Sequence, residues 1–172
     1  MFVFLDLDQT LADNTHRVHH IKKSPKDWDT FEAPDLVGKD TVIAGALRVL
    51  NQLIELKYDV VILTGRHESL RDTTMRWMLE HLNLSVPDTH LLMRGHGNML
   101  SAAEYKKEQV LNFKQGLENR GGGFLFIDDN ANVCATLAAF GVVMKAPECW
   151  SVMFPVEVPP AEVAPGDLIT EE

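Results

Sequence analysis

Asp6 and Asp8 stand two residues apart directly after the apolar run Phe2-Val3-Phe4-Leu5, and Thr10 follows them. The run reads as a buried strand, so both acids fall at its carboxyl end, where open α/β sheets bind ligands. Two carboxylates so close can bind a hard cation such as Mg²⁺, and one of them can attack phosphorus. Three further groups have compatible chemistry. In Leu63-Thr64-Gly65-Arg66 the Thr64 hydroxyl and the amides beside Gly65 can hydrogen-bond phosphate oxygens, and Gly65 lets the backbone come close to a ligand. Lys106 and Lys107 open a helical stretch, where a lysine pair also suits a plain solvated face. Asp128 and Asp129 close the run Phe126-Ile127, and the competing use of Asp129 is to cap the helix that follows.

The elements that must position these residues alternate along the chain. Strands are expected over 2–6, 58–63, 89–93, 124–127 and 142–144. Between them, Ile43, Leu47, Leu50, Leu53 and Ile54 follow helical spacing. A helix over 70–82 is introduced by Ser69 and Asp72 as an N-cap pair. Ser101 and Glu104 form a capping box for a helix that runs to about Asn119, Gly121, Gly122 and Gly123 punctuate the turn after it, and Asn130 caps one to about Phe140. Residues 13–40 are polar and irregular, with Trp28 and Phe31 standing out. Strands alternating with helices imply parallel βαβ units and a three-layer α/β/α sandwich. The expected organisation is a core over 1–154 with a small insert at 13–40, then a Pro-rich acidic tail over 155–172, disordered or extended.

Composition narrows the partners. The 172 residues suit a single domain, and 45% hydrophobic content is enough for one core. No apolar run is long enough to span a membrane. The opening strand has no basic segment before it, which argues against a secretory signal. Cys134 and Cys149 lack metal-type spacing and read as thiols in a reducing cytoplasm. A net charge of −9 excludes extensive duplex binding but leaves a small phosphorylated ligand or the end of a strand. There is no Gly-x-x-x-x-Gly-Lys-Ser/Thr, so no nucleotide-triphosphate loop of that kind.

Taken in order, Asp6-Leu7-Asp8-Gln9-Thr10, Thr64-Gly65-Arg66, the Lys106-Lys107 pair and Asp128-Asp129 resemble the four motifs of the haloacid dehalogenase (HAD) superfamily. The resemblance covers the chain to about residue 154. It implies a Rossmann-like core with strand order 5-4-1-2-3 and a small cap. It implies Asp6 as nucleophile, Asp8 as general acid and base, and Mg²⁺ held by Asp6, the Asp8 backbone carbonyl, Asp128 and Asp129. Thr64 and one lysine would hold phosphoryl oxygens; the Glu-x-Val-Leu that follows Lys107 favours it over Lys106. Asp8 points to a phosphatase, since the dehalogenases lack the second acid. Gln9 departs from the pattern, standing where many relatives carry Gly.

Finer features are similar to the 3′-phosphatase domains of phage polynucleotide kinases and their stand-alone relatives. They include Thr64 to Ser69, Arg71 to Trp77, Ile127 to Asn130, Glu148-Cys149-Trp150, and an insert with His16-Arg17-x-x-His20 followed by Asp27-Trp28-Asp29-x-Phe31. This branch implies hydrolysis of 3′-phosphates at nucleic-acid ends or on nucleotides, in a host cytoplasm if the chain is phage-encoded. From the residues themselves, Arg66 beside Thr64-Gly65 suits a ligand contact, Arg17 and His16 suit a phosphate or sugar contact as well as plain solvent exposure, and Trp28 or Phe31 suits stacking on a base or, rather better, an apolar cluster closing the insert over the core. A 5′(3′)-nucleotidase for free mononucleotides suits the charge and insert almost as well. A non-catalytic module that binds phosphorylated ends is the third reading, opposed by the intact Asp6 and Asp8.

Overall fold

The structure, a computed structural model, describes residues 1–116 and 123–150. The expected tail over 155–172, the turn at Gly121-Gly122 and the helix end at Asn119 lie outside the described residues. In chain order the elements are β1 (Phe2–Leu5), β2 (Ala12–Asp13), α1 (Thr15–Lys22), α2 (Trp28–Phe31), α3 (Pro34–Val37), β3 (Thr41–Val42) and α4 (Ala46–Glu55). They continue with β4 (Asp59–His67), α5 (Arg71–Leu82), β5 (Leu91–Arg94), α6 (Ala102–Gly116), β6 (Phe124–Asp128), α7 (Ala131–Leu137) and β7 (Val142–Lys145).

Five strands form one parallel sheet in the order β5-β4-β1-β6-β7. Counting only these five along the chain, and reading from β7, that is the expected 5-4-1-2-3. β1 lies at the centre, paired with β4 on one edge and β6 on the other, and both its faces are covered, which is why its sequence is continuously apolar rather than alternating. Val3 and Leu5 face one cluster with Leu50, Leu53, Ile62, Trp77 and Ile127. Phe4 faces the other with Val61, Leu63, Tyr105, Phe126 and Val133. Helices α4 and α5 cover the first face, α6 and α7 the second. Phe4 stacks on Phe126 with centroids 5.1 Å apart and meets the edge of Phe113 on α6 at 5.2 Å.

Local signals fare unevenly. The capping box forms: the Ser101 amide donates to Glu104 Oε2 at 3.0 Å, and the Glu104 amide to Ser101 Oγ at 3.3 Å. Asn130 caps α7, accepting from the amides of Asn132 and Val133 at 3.0 and 3.3 Å. The Ser69–Asp72 pair does not cap α5. A 3-10 turn over Glu68–Leu70 carries the chain into the helix, Leu70 takes the cap position, and no side chain bonds there. β4 runs on to His67, past the point where its apolar run stops, because its end is paired with β5 through His67 and Arg94.

The segment expected to be irregular holds three short helices, closed at its base by an antiparallel pairing of β2 with β3. Its periodicity is weak because few of its side chains are apolar and inward. Phe31 and Val37 are buried, and so is Arg17. The insert is therefore held to the core largely by polar groups.

Gly141 marks where α7 returns to the sheet. A Cβ there would meet the Phe124 carbonyl oxygen at 2.3 Å, and backbone cannot yield as a flexible side chain would. Gly141→Ala is expected to cost about 1–3 kcal/mol in denaturant unfolding by overpacking, with the slope of the transition unchanged.

Candidate active site

The carboxyl ends of β1, β4 and β6 meet at one point because the three strands are parallel neighbours. Asp6 comes immediately after β1, its amide donating to the Ile127 carbonyl at 3.0 Å. The next turn is wound tightly, with the Leu7 carbonyl accepting from the amides of Thr10, Leu11 and Ala12 at 3.1, 2.8 and 2.8 Å. Gln9 takes φ +59°, a left-handed conformation that explains why glycine suits this position. The turn places Asp8 beside Asp6 but facing a different set of neighbours.

Asp6 faces Lys106. The Lys106 ammonium lies 2.8 Å from Asp6 Oδ1 and 2.6 Å from Asp128 Oδ2, and all three residues are buried. Asp128 Oδ1 accepts from the Asn130 amide at 2.9 Å. Oxygens of Asp6, Asp128 and the half-buried Asp129 all lie within 4.8 Å of one another. Burial raises the Asp6 carboxyl far above the usual carboxylate range; Lys106 pulls the other way and the charge of Asp128 adds to the rise. Burial also raises Asp129, again with help from Asp128. Burial alone would lower Lys106, but Asp6 and Asp128 outweigh it and hold the ammonium protonated. Three acids thus share one lysine. A divalent cation with oxygen ligands matches that donor set and its surplus negative charge.

The lysine in this position is Lys106, not Lys107. Lys107, about 100° further round α6, is exposed. Helical phase decides it, for Lys106 lies one turn before the buried Val110, whereas Lys107 lies one turn before the exposed Leu111.

Asp8 belongs to a second charged group. Arg66 Nε donates to Asp8 Oδ2 at 3.0 Å, and Arg66 Nη2 to Asp8 Oδ1 at 2.9 Å and Asp40 Oδ2 at 2.6 Å. Arg17 donates from Nη2 to Asp8 Oδ1 at 2.6 Å and Asp40 Oδ2 at 2.7 Å, and from Nε to Asp40 Oδ1 at 2.7 Å. Asn14 Nδ2 adds a bond to Asp8 Oδ1 at 3.2 Å. Trp77 Nε1 fixes the Asp40 carbonyl at 2.7 Å. Burial opposes ionisation of Asp8, yet Arg66 above all, then Arg17 and Asn14, carry its carboxyl down to about 2. Two arginines and two aspartates balance here, whereas the Asp6 side carries surplus negative charge.

From the sequence, Arg17 and Arg66 are expected to contact substrate. Both are buried, and most of their donors are engaged by Asp8 and Asp40; Arg17 also gives Nη1 to the Phe31 carbonyl at 3.0 Å. Arg66 Nη1 alone stays without a partner among the described residues. Thr64 is buried at the end of the apolar part of β4, its hydroxyl oxygen accepting from the Arg66 amide at 3.2 Å. A Cβ at Gly65 would meet nothing within 4 Å, so the space beside it is open to a ligand. His16 contacts the Leu36 carbonyl at 3.1 Å and lies 3.8 Å from Asp40, outside the acid cluster. Trp28 lies on the outer surface of the insert, edge-on to Phe31 at 5.7 Å. Sequence reasoning missed Asp40 and Asn14, since a lone acid after Gly38-Lys39 looks like a turn residue and Asn14 looks like a helix cap.

Comparison with known proteins agrees with this architecture. The family model of the HAD superfamily, subfamily IIIB (acid phosphatase), matches residues 1–119. No curated protein matches the sequence. Among solved structures, a chain of the Pnkp1/Rnl/Hen1 RNA repair complex is similar at TM-score 0.61 and 22% identity, over 84% of this chain and 41% of that one. The class C acid phosphatase from Bacillus anthracis is similar at 0.56 and 16%, over 85% and 66%. A haloacid dehalogenase-like hydrolase from Streptococcus pneumoniae is similar at 0.54 and 15%, over 83% and 82%. At such identities the likeness is one of fold, and this chain spans less than half the length of the RNA-repair chain.

Removing Lys106 leaves Asp6 and Asp128 facing each other without a cation. Lys106→Met is expected to lose about 3–5 kcal/mol of stability in metal-free buffer, against under about 0.5 kcal/mol for Lys107→Met. Burial has already raised the Asp6 carboxyl to about 8 and losing Lys106 would raise it further, so the extra loss should grow as pH rises above about 8 and shrink below it, where Asp6 is protonated with or without the lysine. Urea unfolding on either side of that pH checks both.

Proposed function

This chain belongs to the HAD superfamily, subfamily IIIB, whose members are phosphatases, and we propose that it hydrolyses phosphate monoesters at the 3′ ends of nucleic acids or on nucleotides. The observation that carries the chemistry is the division of the site into two electrostatic halves. Asp6 lies in the half with surplus negative charge, and Asp8, two residues on, lies in the arginine-bound half. A nucleophile and a proton-transfer group are thereby held side by side in different environments, as a two-step phosphoryl transfer requires.

In this reading an oxygen of Asp6 attacks phosphorus in line, the bond to the leaving oxygen breaks, and an aspartyl-phosphate forms. Lys106 and the Thr64 hydroxyl hold phosphoryl oxygens beside Gly65. Asp6, the Asp8 backbone carbonyl, Asp128 and Asp129 would hold Mg²⁺, which when bound neutralises charge gathering on the phosphoryl group. Asp8 gives a proton to the leaving oxygen and later takes one from the water that cleaves the intermediate. In the resting site Arg66 holds its carboxyl low and ionised, so the proton it gives must first be taken from solvent. The buried, unpartnered Nη1 of Arg66 gives an incoming phosphate a way to draw that arginine off Asp8, raising the carboxyl toward the range where it can donate.

The nucleic-acid assignment is supported by the motif resemblance, by a cap reduced to three short helices, and by likeness to a chain of an RNA repair complex. A net charge of −9 favours free mononucleotides as the competing substrate. Unpaired Cys134 and Cys149 suit a reducing cytoplasm.

Phosphate release from a 3′-phosphorylated oligonucleotide, and from 3′- and 5′-mononucleotides, tests the proposal. Wild type with Mg²⁺ is expected to prefer the oligonucleotide. EDTA should abolish release, and Asp6→Asn should lower kcat by at least about 10³-fold. Preference for mononucleotides would move the enzyme to nucleotide turnover, and no release from any of them would refute the reading.

A further inference from the structure

Charge is distributed unevenly over the chain. Residues 15–28 hold four of its 16 Lys and Arg but only one of its 25 Asp and Glu. These residues form α1 and the start of α2, the outer part of the insert. Arg17 points inward, to Asp8 and Asp40. Lys22, Lys23 and Lys26 are exposed, as is His19, whose ring lies 4.0 Å from that of His20. The acid of the stretch, Asp27, caps α2 by accepting from the Thr30 amide at 3.0 Å; exposed Asp29 directly follows Trp28, and half-buried Glu32 and exposed Asp35 come after it.

Among these cations stands an exposed aromatic ring. Trp28 is 49% exposed, whereas Trp77 and Trp150 are buried. Lys26 Nζ lies 5.4 Å from the Trp28 ring centre. The indole and Phe31 rings meet at right angles, and the Arg17 guanidinium lies over the Phe31 ring at 4.3 Å. Trp28 is thus two ring contacts from the arginine that bonds Asp8. A flat exposed indole with flanking ammonium groups, on an otherwise acidic protein, is the chemistry that holds unpaired bases and their phosphates.

We infer that the outer face of the α1–α2 insert docks single-stranded nucleic acid, with Trp28 stacking on a base and Lys22, Lys23 and Lys26 pairing with phosphates near the reacting end. The inference rests on the proposed nucleic-acid substrate for its occupant. A duplex would hide the base faces the indole needs, and three lysines on a chain of net charge −9 are too few to hold one. The same surface accounts for how a small cap would discriminate an oligonucleotide from a mononucleotide, because the mononucleotide reaches none of these lysines.

The test is binding of an oligothymidylate ending in a 3′-hydroxyl, read by Trp fluorescence and by anisotropy across a salt series. Because Trp28 is the exposed indole, stacking should quench the emission, and Trp28→Phe should remove the quench. Lys22→Gln/Lys23→Gln/Lys26→Gln should flatten the slope of log K against log salt by about 2, since each phosphate contact on a single strand contributes about 0.7. The kcat/KM ratio for a 3′-phosphorylated oligonucleotide over a 3′-mononucleotide should fall about tenfold in that variant. An unchanged slope with no Trp28 quench would overturn the inference. So would lysine-dependent binding of poly-glutamate without quenching by the oligonucleotide, which would make the face a protein-docking surface. Quench and slope without phosphate release from any nucleotide would refute the proposed function and leave the docking surface standing. Release from oligonucleotides with no effect of the lysines would refute the surface alone.

Discussion

Everything at the site follows from the crowding of acids at the ends of adjacent parallel strands. β1 and β6 are neighbours in register; Asp6 follows the last residue of β1 and Asp128 is the last residue of β6. Two like charges about 4 Å apart repel by roughly 4 kcal/mol at the effective dielectric of such a site. A sheet cannot separate them, because the parallel pairing that sets Leu5 opposite Ile127 carries the next residue of each strand to the same place. Cations must therefore come from elsewhere in the chain. Lys106 arrives from α6 on one side of the sheet, and Arg66 and Arg17 from β4 and the insert on the other. The fold is in this sense arranged around neutralising its own strand ends.

The two cationic clamps have different consequences. Lys106 under-compensates, leaving Asp6, Asp128 and Asp129 with a need for positive charge that a divalent cation or a phosphoryl group's counterions can meet. The arginine pair compensates fully, because Asp40 joins Asp8 as a second acceptor and Trp77 holds Asp40 from behind. One half of the site is open to exchange and the other is closed until something displaces Arg66. The insert is part of that closed half, since Arg17 ties α1 to the core through charge rather than through a broad apolar face.

The fold was legible in the sequence wherever burial on two faces left a continuous apolar run, as at Phe2–Leu5 and Phe124–Ile127, and the strand order followed from the motifs those runs carry. The carboxylates were legible for the same reason, as polar residues ending runs that nothing else would end. The choice between Lys106 and Lys107 was not legible in the Glu-x-Val-Leu pattern, though it was present in the helical phase of Val110. Asp40 was invisible because its partners, Arg17 and Arg66, are 23 and 26 residues away and its neighbours are ordinary turn residues. The short helices of the insert were missed because side chains at long sequence separation, and not local periodicity, hold them in place.

Asp8, Arg17, Asp40 and Arg66 form a closed set in which each member balances the others. Loss of any one strands a charge out of reach of water, a penalty far above that of an ordinary surface change. Single substitutions at these four positions are therefore expected to cost folding far more than substitutions on the exposed surface of the insert. Across descendants of this chain the four positions should covary as a block, changing together or not at all, and the cap around them should be free to acquire new surfaces without disturbing the chemistry beneath.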